Sequence, residues 1–288
     1  MSLNAQVLDS PVFEKLLVVE AELNYLTPMV EKPVNYTYEP PTGIPRHNSK
    51  YETRRLPIKN ARPLAQNLSL DREGFAFAVH RSNVKNFYDD SEIQRVYYPE
   101  ADQLLKSVTG ATSVVIFDHT LRNAQRLQQG ENLIKEPVKR VHNDFTAKSG
   151  YTRAYKELAV REIDNIDELL QQRFAVVNIW RPIALVQESP LAVCDAQSIA
   201  PTDLVASDLV YSDRVGETYA ITYNPTHRWF YFPQMQRDEV VFIKCFDSAE
   251  NGQARFAAHT GFDDPTTPSD APPGESIELR AFIFYSTY

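Results

Sequence analysis

His142 and Asp144 stand two residues apart in the run Lys139-Arg140-Val141-His142-Asn143-Asp144-Phe145-Thr146. In an extended chain, side chains at i and i+2 leave the same face, so the imidazole and the carboxylate converge on one point while Asn143 points away. Such a pair is two thirds of a facial 2-His-1-carboxylate set, which holds Fe(II) through three protein ligands and leaves three positions for cosubstrate and oxygen. The chemistry predicted is oxidation at a metal centre, provided the fold delivers a second histidine. His-x-Asp recurs by chance in long chains, so the other parts must be found elsewhere.

The remaining histidines are His47, His80, His119, His227 and His259. His47 and His80 lie in an irregular N-terminal part, and His119 precedes the motif in an expected first strand. His227 opens HRWFYFPQM, where the ordinary reading is a loop-to-strand histidine packed on Trp229 or Tyr231. His259, in ARFAAHTGF, follows the seventh apolar run and precedes the last, where a two-sheet barrel takes its far ligand. His259 is the preferred third ligand and His227 the alternative.

Along SIELRAFIFY, Glu278, Arg280, Phe282 and Phe284 share one face. A guanidinium among aromatic residues needs an anionic partner, and its planar fork suits a carboxylate. That partner is either an acidic residue of the next strand or the far carboxylate of a dicarboxylic cosubstrate. If His227 were the ligand, Arg237 would be the competing anchor, although it sits in the turn-like QMQRDE. Trp180 and Arg181 at a strand end could touch substrate or cosubstrate, or Arg181 could stack on Trp180 at the surface. Lys244, in VVFIKCF, is either a buried paired ammonium or half exposed.

These side chains need a scaffold of strands. TSVVIFDHTLR, PVKRVHNDF, FAVVNIWRPI, LAVCDAQSI, ETYAITYN, RWFYFPQM, EVVFIKCF and SIELRAFIFY are β-branched or aromatic runs separated by Gly, Pro, Asn or Asp. Eight runs with one intervening helix, approximately Tyr151 to Arg173, predict a mainly β, double-sheet jelly roll over residues 111–288. Residues 1–110 read as an extension packing on that barrel, all in one structural domain. VFEKLLVVEAELNYL is either a helix or paired strands, and SEIQRVYYPEADQLLKSVTG carries a helix stopped at Gly110. Asp263 to Gly274, DDPTTPSDAPPG, reads as a rim or lid.

The chain has 288 residues, 43% hydrophobic and 24% charged, with a net charge of -8, values of an ordinary globular protein. The acidic balance argues against a nucleic-acid surface, and no apolar run is long enough for a membrane span. Cys194 and Cys245 sit in apolar runs and read as core thiols in a reducing compartment, so a cytoplasmic protein, monomeric or homodimeric, with a small-molecule substrate is expected. No phosphate loop, nucleophile elbow or CxxC pair is present.

HNDFT, NIWRPI, LAVCDAQSI, YNPTHRWFYFPQM through DEVVFIKCFDS, and HTGFDDPTTPSDAPPGESIELRAF resemble the fungal and bacterial hydroxylase/desaturase family that includes gibberellin desaturase and the cephamycin 7α-hydroxylase component. The resemblance runs from about Leu16 to the C-terminus. It implies a double-stranded β-helix, the cofactors Fe(II), 2-oxoglutarate and O2, and oxidation of a C–H bond in a small secondary metabolite. Hydroxylation, desaturation, endoperoxidation and ring rearrangement are all open. His142 and Asp144 match the family's HxD; both His259 with Arg280 and His227 lie in family motifs. The rival expectations are a cupin-type metal enzyme that uses no 2-oxoglutarate and a non-catalytic ligand-binding β-sandwich.

Overall fold

Runs of β-branched and aromatic residues form strands, whose period-two alternation sorts side chains between two faces. The computed structural model describes residues 16–131 and 133–285, and among them fifteen strands form. The N-terminal part gives β1 (Val18–Leu26), β2 (Val34–Tyr36), β3 (Tyr51–Asn60) and β4 (Phe75–Val79). Next come β5 (Ser113–Arg122), β6 (Ile134–Lys135), β7 (His142–Asn143), β8 (Phe174–Pro182) and β9 (Leu191–Cys194). The remainder supplies β10 (Leu204–Val210), β11 (Val215–Ile221), β12 (Trp229–Tyr231), β13 (Glu239–Asp247), β14 (His259–Gly261) and β15 (Ser276–Phe284).

Two sheets result, one in the order β1-β3-β12-β9-β14-β7-β11-β10-β2 and the other β4-β13-β8-β15-β5-β6. Their central quartets, β12-β9-β14-β7 and β13-β8-β15-β5, enclose a jelly-roll core in which Phe174, Val176, Val193, Phe230, Ile243 and Phe282 meet. Alternation sends Val177, Ile179, Leu279 and Ile283 to the outer face of the six-stranded sheet. Leu23, Tyr25, Ala192 and Trp229 line the outer face of the nine-stranded one. Because β8 is covered on both faces, all nine of its residues are buried.

The run ETYAITYN is not a barrel strand but β11, the return arm of a hairpin with β10 that extends the sheet beyond β7. The seventh barrel strand is β14, whose three residues are too few to read as an apolar run. Strands from residues 16–110 enter both sheets, β3 beside β12 and β4 beside β13. Residues 18–26 of the ambiguous early run are strand, and residues 11–15 lie outside the described residues.

The single expected helix is two, Ala147–Val160 and Ile166–Gln171. The first starts before Tyr151 because Thr146 and Ser149 cap it reciprocally, each hydroxyl accepting the other's backbone N–H. Positive φ at Glu162 (54°) and Asn165 (57°) breaks the chain between them. Helix Tyr98–Thr109, entered through a π-helical turn at Ile93–Tyr97, ends at Gly110, whose φ of 71° favours glycine. Tyr97, Ala101 and Leu105 bury against the outer face of the six-stranded sheet. Each large side chain there stabilises by roughly 1.5–3 kcal/mol, and Leu105→Asp would bury an unpaired carboxylate. No described helix is long and apolar enough to cross a membrane.

Candidate metal centre

β14 pairs with β7 so that His259 stands directly opposite His142. Cross-strand partners project side by side, and the two imidazole centroids lie 4.4 Å apart. The chain bends after Asn143, and Asp144 Oδ1 returns to 3.6 Å from His142 Nε2. Asn143 leaves the other way, as the spacing predicts, and donates to the Cys245 carbonyl at 2.8 Å, tying β7 to β13. One potential ligand atom from each of His142, Asp144 and His259 lies within 4.8 Å of the others, the one such group among the described residues.

The donor atoms suit a divalent ion. His142 Nδ1 lies 2.7 Å from the Arg140 carbonyl and His259 Nδ1 3.3 Å from the Ala257 carbonyl. Each carbonyl accepts an Nδ1–H, which fixes the tautomer with a lone pair on Nε2. Burial, helped by the neighbouring His142, pushes His259 down to about 4, so its ring is neutral at physiological pH. Burial alone would raise Asp144, but the adjoining His142 imidazole and the charge of Arg280 outweigh it and hold the carboxyl well below its usual range. Two imidazole nitrogens and one carboxylate form the donor set suited to non-haem Fe(II).

Arg280, on β15, donates to Thr120 Oγ1 at 2.6 Å and lies 3.3 Å from Asp118 Oδ1 and 3.9 Å from Asp144 Oδ2. Its Nε is buried without a hydrogen-bond partner among the described residues. Burial would lower its affinity for the proton, yet Asp118, Asp144 and Glu278 together raise it. Trp180 lines a cavity with Arg122, His142, Leu191, His259 and Glu278. The rim loop forms part of the wall: a Cβ on Gly274 would come 2.4 Å from the Glu188 carbonyl oxygen, so only glycine fits this approach.

Other candidate residues lie elsewhere. His227 sits in a closed relay on the far face of the nine-stranded sheet. Trp229 Nε1 donates to Tyr25 Oη at 2.7 Å, Tyr25 Oη lies 3.0 Å from His227 Nδ1, and His227 Nε2 lies 3.1 Å from Asp203 Oδ2. Arg237 donates to the Val84 carbonyl and lies over the Phe87 ring. Arg181 is neither at the cavity nor on the surface, because alternation turns it away from Trp180. It is fully buried and donates to Tyr97 Oη at 3.1 Å and to the carbonyls of His80 and Arg237 at 2.9 and 2.7 Å. Lys244 is buried and paired with Asp71 and Asp247. Residues the sequence reading passed over are Arg122, Asn178 and Glu278. Asn178 had a signal, a lone amide in an otherwise apolar strand interior, and Glu278 shared the face of Arg280.

Comparison with known proteins follows this geometry. A family model described as "Oxidoreductase/YMDC permease-like domain" matches residues 23–284. "Hydroxylase/desaturase CTB9" of Cercospora beticola is 33% identical over 82% of this chain and 78% of its own. "Fe(II)/2-oxoglutarate-dependent dioxygenase nvfI" of Aspergillus novofumigatus is 30% identical, covering 92% of this chain and 96% of its own. The solved structure of the iron and alpha-ketoglutarate-dependent endoperoxidase NvfI superposes with a TM-score of 0.84 at 27% identity, over 95% of this chain and 100% of that one. With the family model matching residues 23–284 and relatives matching over most of the length, the chain belongs to this oxidoreductase family, that of the hydroxylase/desaturase and Fe(II)/2-oxoglutarate-dependent dioxygenase relatives.

Proposed function

We propose that the protein is an Fe(II)/2-oxoglutarate-dependent dioxygenase that oxidises a C–H bond of a small secondary metabolite, with His142, Asp144 and His259 as the three protein ligands. The observation that carries the assignment is the cross-strand pairing of His142 with His259, each Nδ1 engaged by a backbone carbonyl, beside Asp144. Fe(II) with 2-oxoglutarate and O2 would supply the oxidising power when bound. The protein contributes orientation and exclusion of water. Carbonyls of Arg140 and Ala257 aim the imidazoles, β7 and β14 set their separation, and Trp180 and Leu191 supply an apolar part of a wall that also carries Arg122 and Glu278.

Arg280 is our candidate for holding the far carboxylate of the cosubstrate. Its unsatisfied Nε supports this over Arg122, which already donates to the Glu136 carbonyl and to Glu278. A carboxylate arriving at Arg280 would share it with Asp118, and its fork can hold both oxygens. The loop 263–274 is proposed to close the cavity, since its last residue, Gly274, belongs to the wall. Two buried free thiols, Cys194 and Cys245, fit residence in the reducing cytoplasm.

Hydroxylation, desaturation, endoperoxidation and rearrangement are separated by substrate pose, which the cavity walls govern. Anaerobic titration with Fe(II), with and without 2-oxoglutarate, tests the reading. A visible charge-transfer band should appear only when both are present and vanish in Asp144→Ala. A variant that binds Fe(II) and gives the same band as the unaltered protein would refute the ligand assignment.

A further inference from the structure

Asn178 is the one polar residue on the inward face of β8, between Val176 and Trp180, and it is completely buried. A buried amide is costly unless bonded, and it also narrows the identity of its partners. Its Nδ2 lies 2.8 Å from Asp144 Oδ2 and 3.0 Å from Glu278 Oε1. Both neighbours are carboxylate oxygens, so the amide must present its NH2 to the pair; the flipped rotamer would set a carbonyl oxygen against two anions. Glu278 is itself buried and fixed, its other oxygen accepting from Arg122 Nη2 at 3.2 Å. Asp144 therefore has two unlike oxygens. Oδ2 is engaged by Asn178 with Arg280 at 3.9 Å, while Oδ1 is turned toward His142.

We infer that Asn178, locked by Glu278, is a positioning residue that commits one Asp144 oxygen to the protein and leaves only the other for the metal. The inference rests on Asp144 being a ligand. It has a chemical consequence: a carboxylate that gave both oxygens would fill a position the facial set leaves for small molecules. Glu278, 3.9 Å from His259 Nε2, acts through Asn178 and not as a fourth ligand.

Fe(II) affinity and the visible spectrum of the Co(II)-loaded protein, which reports coordination, test this in Asn178→Ala, Glu278→Ala, Glu278→Gln and the double alanine variant. Asn178→Ala should weaken Fe(II) binding roughly 10- to 100-fold, the usual effect of losing a partner behind a ligand, and alter the Co(II) spectrum. Glu278→Ala should have the same sign with a smaller effect. Glu278→Gln, which still accepts from Asn178, should restore affinity, and the double variant should be no worse than Asn178→Ala. Circular dichroism of each metal-free variant separates misfolding from mispositioning, and Asn178→Ser provides a smaller cavity-forming change for the same reading. Wild-type affinity and spectrum in a folded Asn178→Ala would overturn the inference. So would metal loss in Glu278→Gln as complete as in Asp144→Ala, which would make Glu278 a ligand. Retention of Fe(II) by Asp144→Ala would instead refute the ligand assignment on which the inference stands.

Discussion

Two histidine–aspartate pairs flank the nine-stranded sheet, and they differ in what is left over. At His227 both ring nitrogens are consumed, one by Tyr25 and one by Asp203, with Trp229 completing the relay. At His142 and His259 only Nδ1 is consumed, and the two Nε2 atoms share one space with Asp144 Oδ1. Both places join imidazole to carboxylate; only the cluster with two histidines keeps spare lone pairs. A satisfied network stiffens the fold, whereas one short of donors recruits a cation.

Removing a member of the open cluster should break this contrast most strongly. Asp144→Ala, His142→Ala and His259→Ala should each weaken Fe(II) binding by more than about a hundredfold, beyond the effect typical of outer partners, and abolish turnover while the far-ultraviolet circular dichroism stays native. Equilibrium dialysis at fixed Fe(II) measures it. Arg280→Leu is expected to keep iron yet weaken 2-oxoglutarate by about thirtyfold or more, as for loss of one side of a desolvated charge pair, read by cosubstrate titration of the iron-loaded protein.

His227→Ala should do the opposite of His259→Ala: full iron occupancy, with a stability loss of about 1–3 kcal/mol from the Tyr25 hydroxyl left without its ring partner, visible in denaturant melts, while Asp203 keeps its bonds from Asn224 and the Ala200 N–H. Iron lost from the His227 variant and kept in the His259 variant would invert the comparison and bring Arg237 forward as anchor.

Acid should sharpen the contrast more gently. His259 sits near 4 when folded against an ordinary 6.5, so the unfolded chain takes up its proton first. Its contribution to stability is complete above pH 6.5 and is lost as pH falls toward about 4. Burial lowers His227 too, although Asp203 partly opposes this, so its contribution is lost in the same direction. Of these two histidines only His259 faces the metal, so melts of metal-free and metal-loaded protein should diverge through that window.

The parts most legible in the sequence were those set by short-range periodicity. His142 and Asp144 converge because i and i+2 share a face, and Arg280 faces inward because β15 alternates without interruption. Alternation also explains the miss at Arg181, since a residue adjacent to an inward Trp180 has to point outward. What the sequence hid was pairing across the barrel. Nothing local announces that a three-residue strand at His259 lies opposite His142, or that Asn178 meets two carboxylates from 34 and 100 residues away. The hairpin β10–β11 was read as one strand because LVASDLV lacks a clean apolar run.

β7 is only two residues long, and its place depends on single-register contacts with β14 and β11. An insertion or deletion of one residue that shifted this strand against its neighbours would exchange its faces, sending both HxD side chains outward and Asn143 in. The lead-in from Glu136 to Arg140 is thereby more open to substitution than to changes in length, whereas Val141 is held in the core. Divergence of this enzyme toward new substrates has to proceed by replacing side chains there, and by lengthening only loops that do not set the phase of β7.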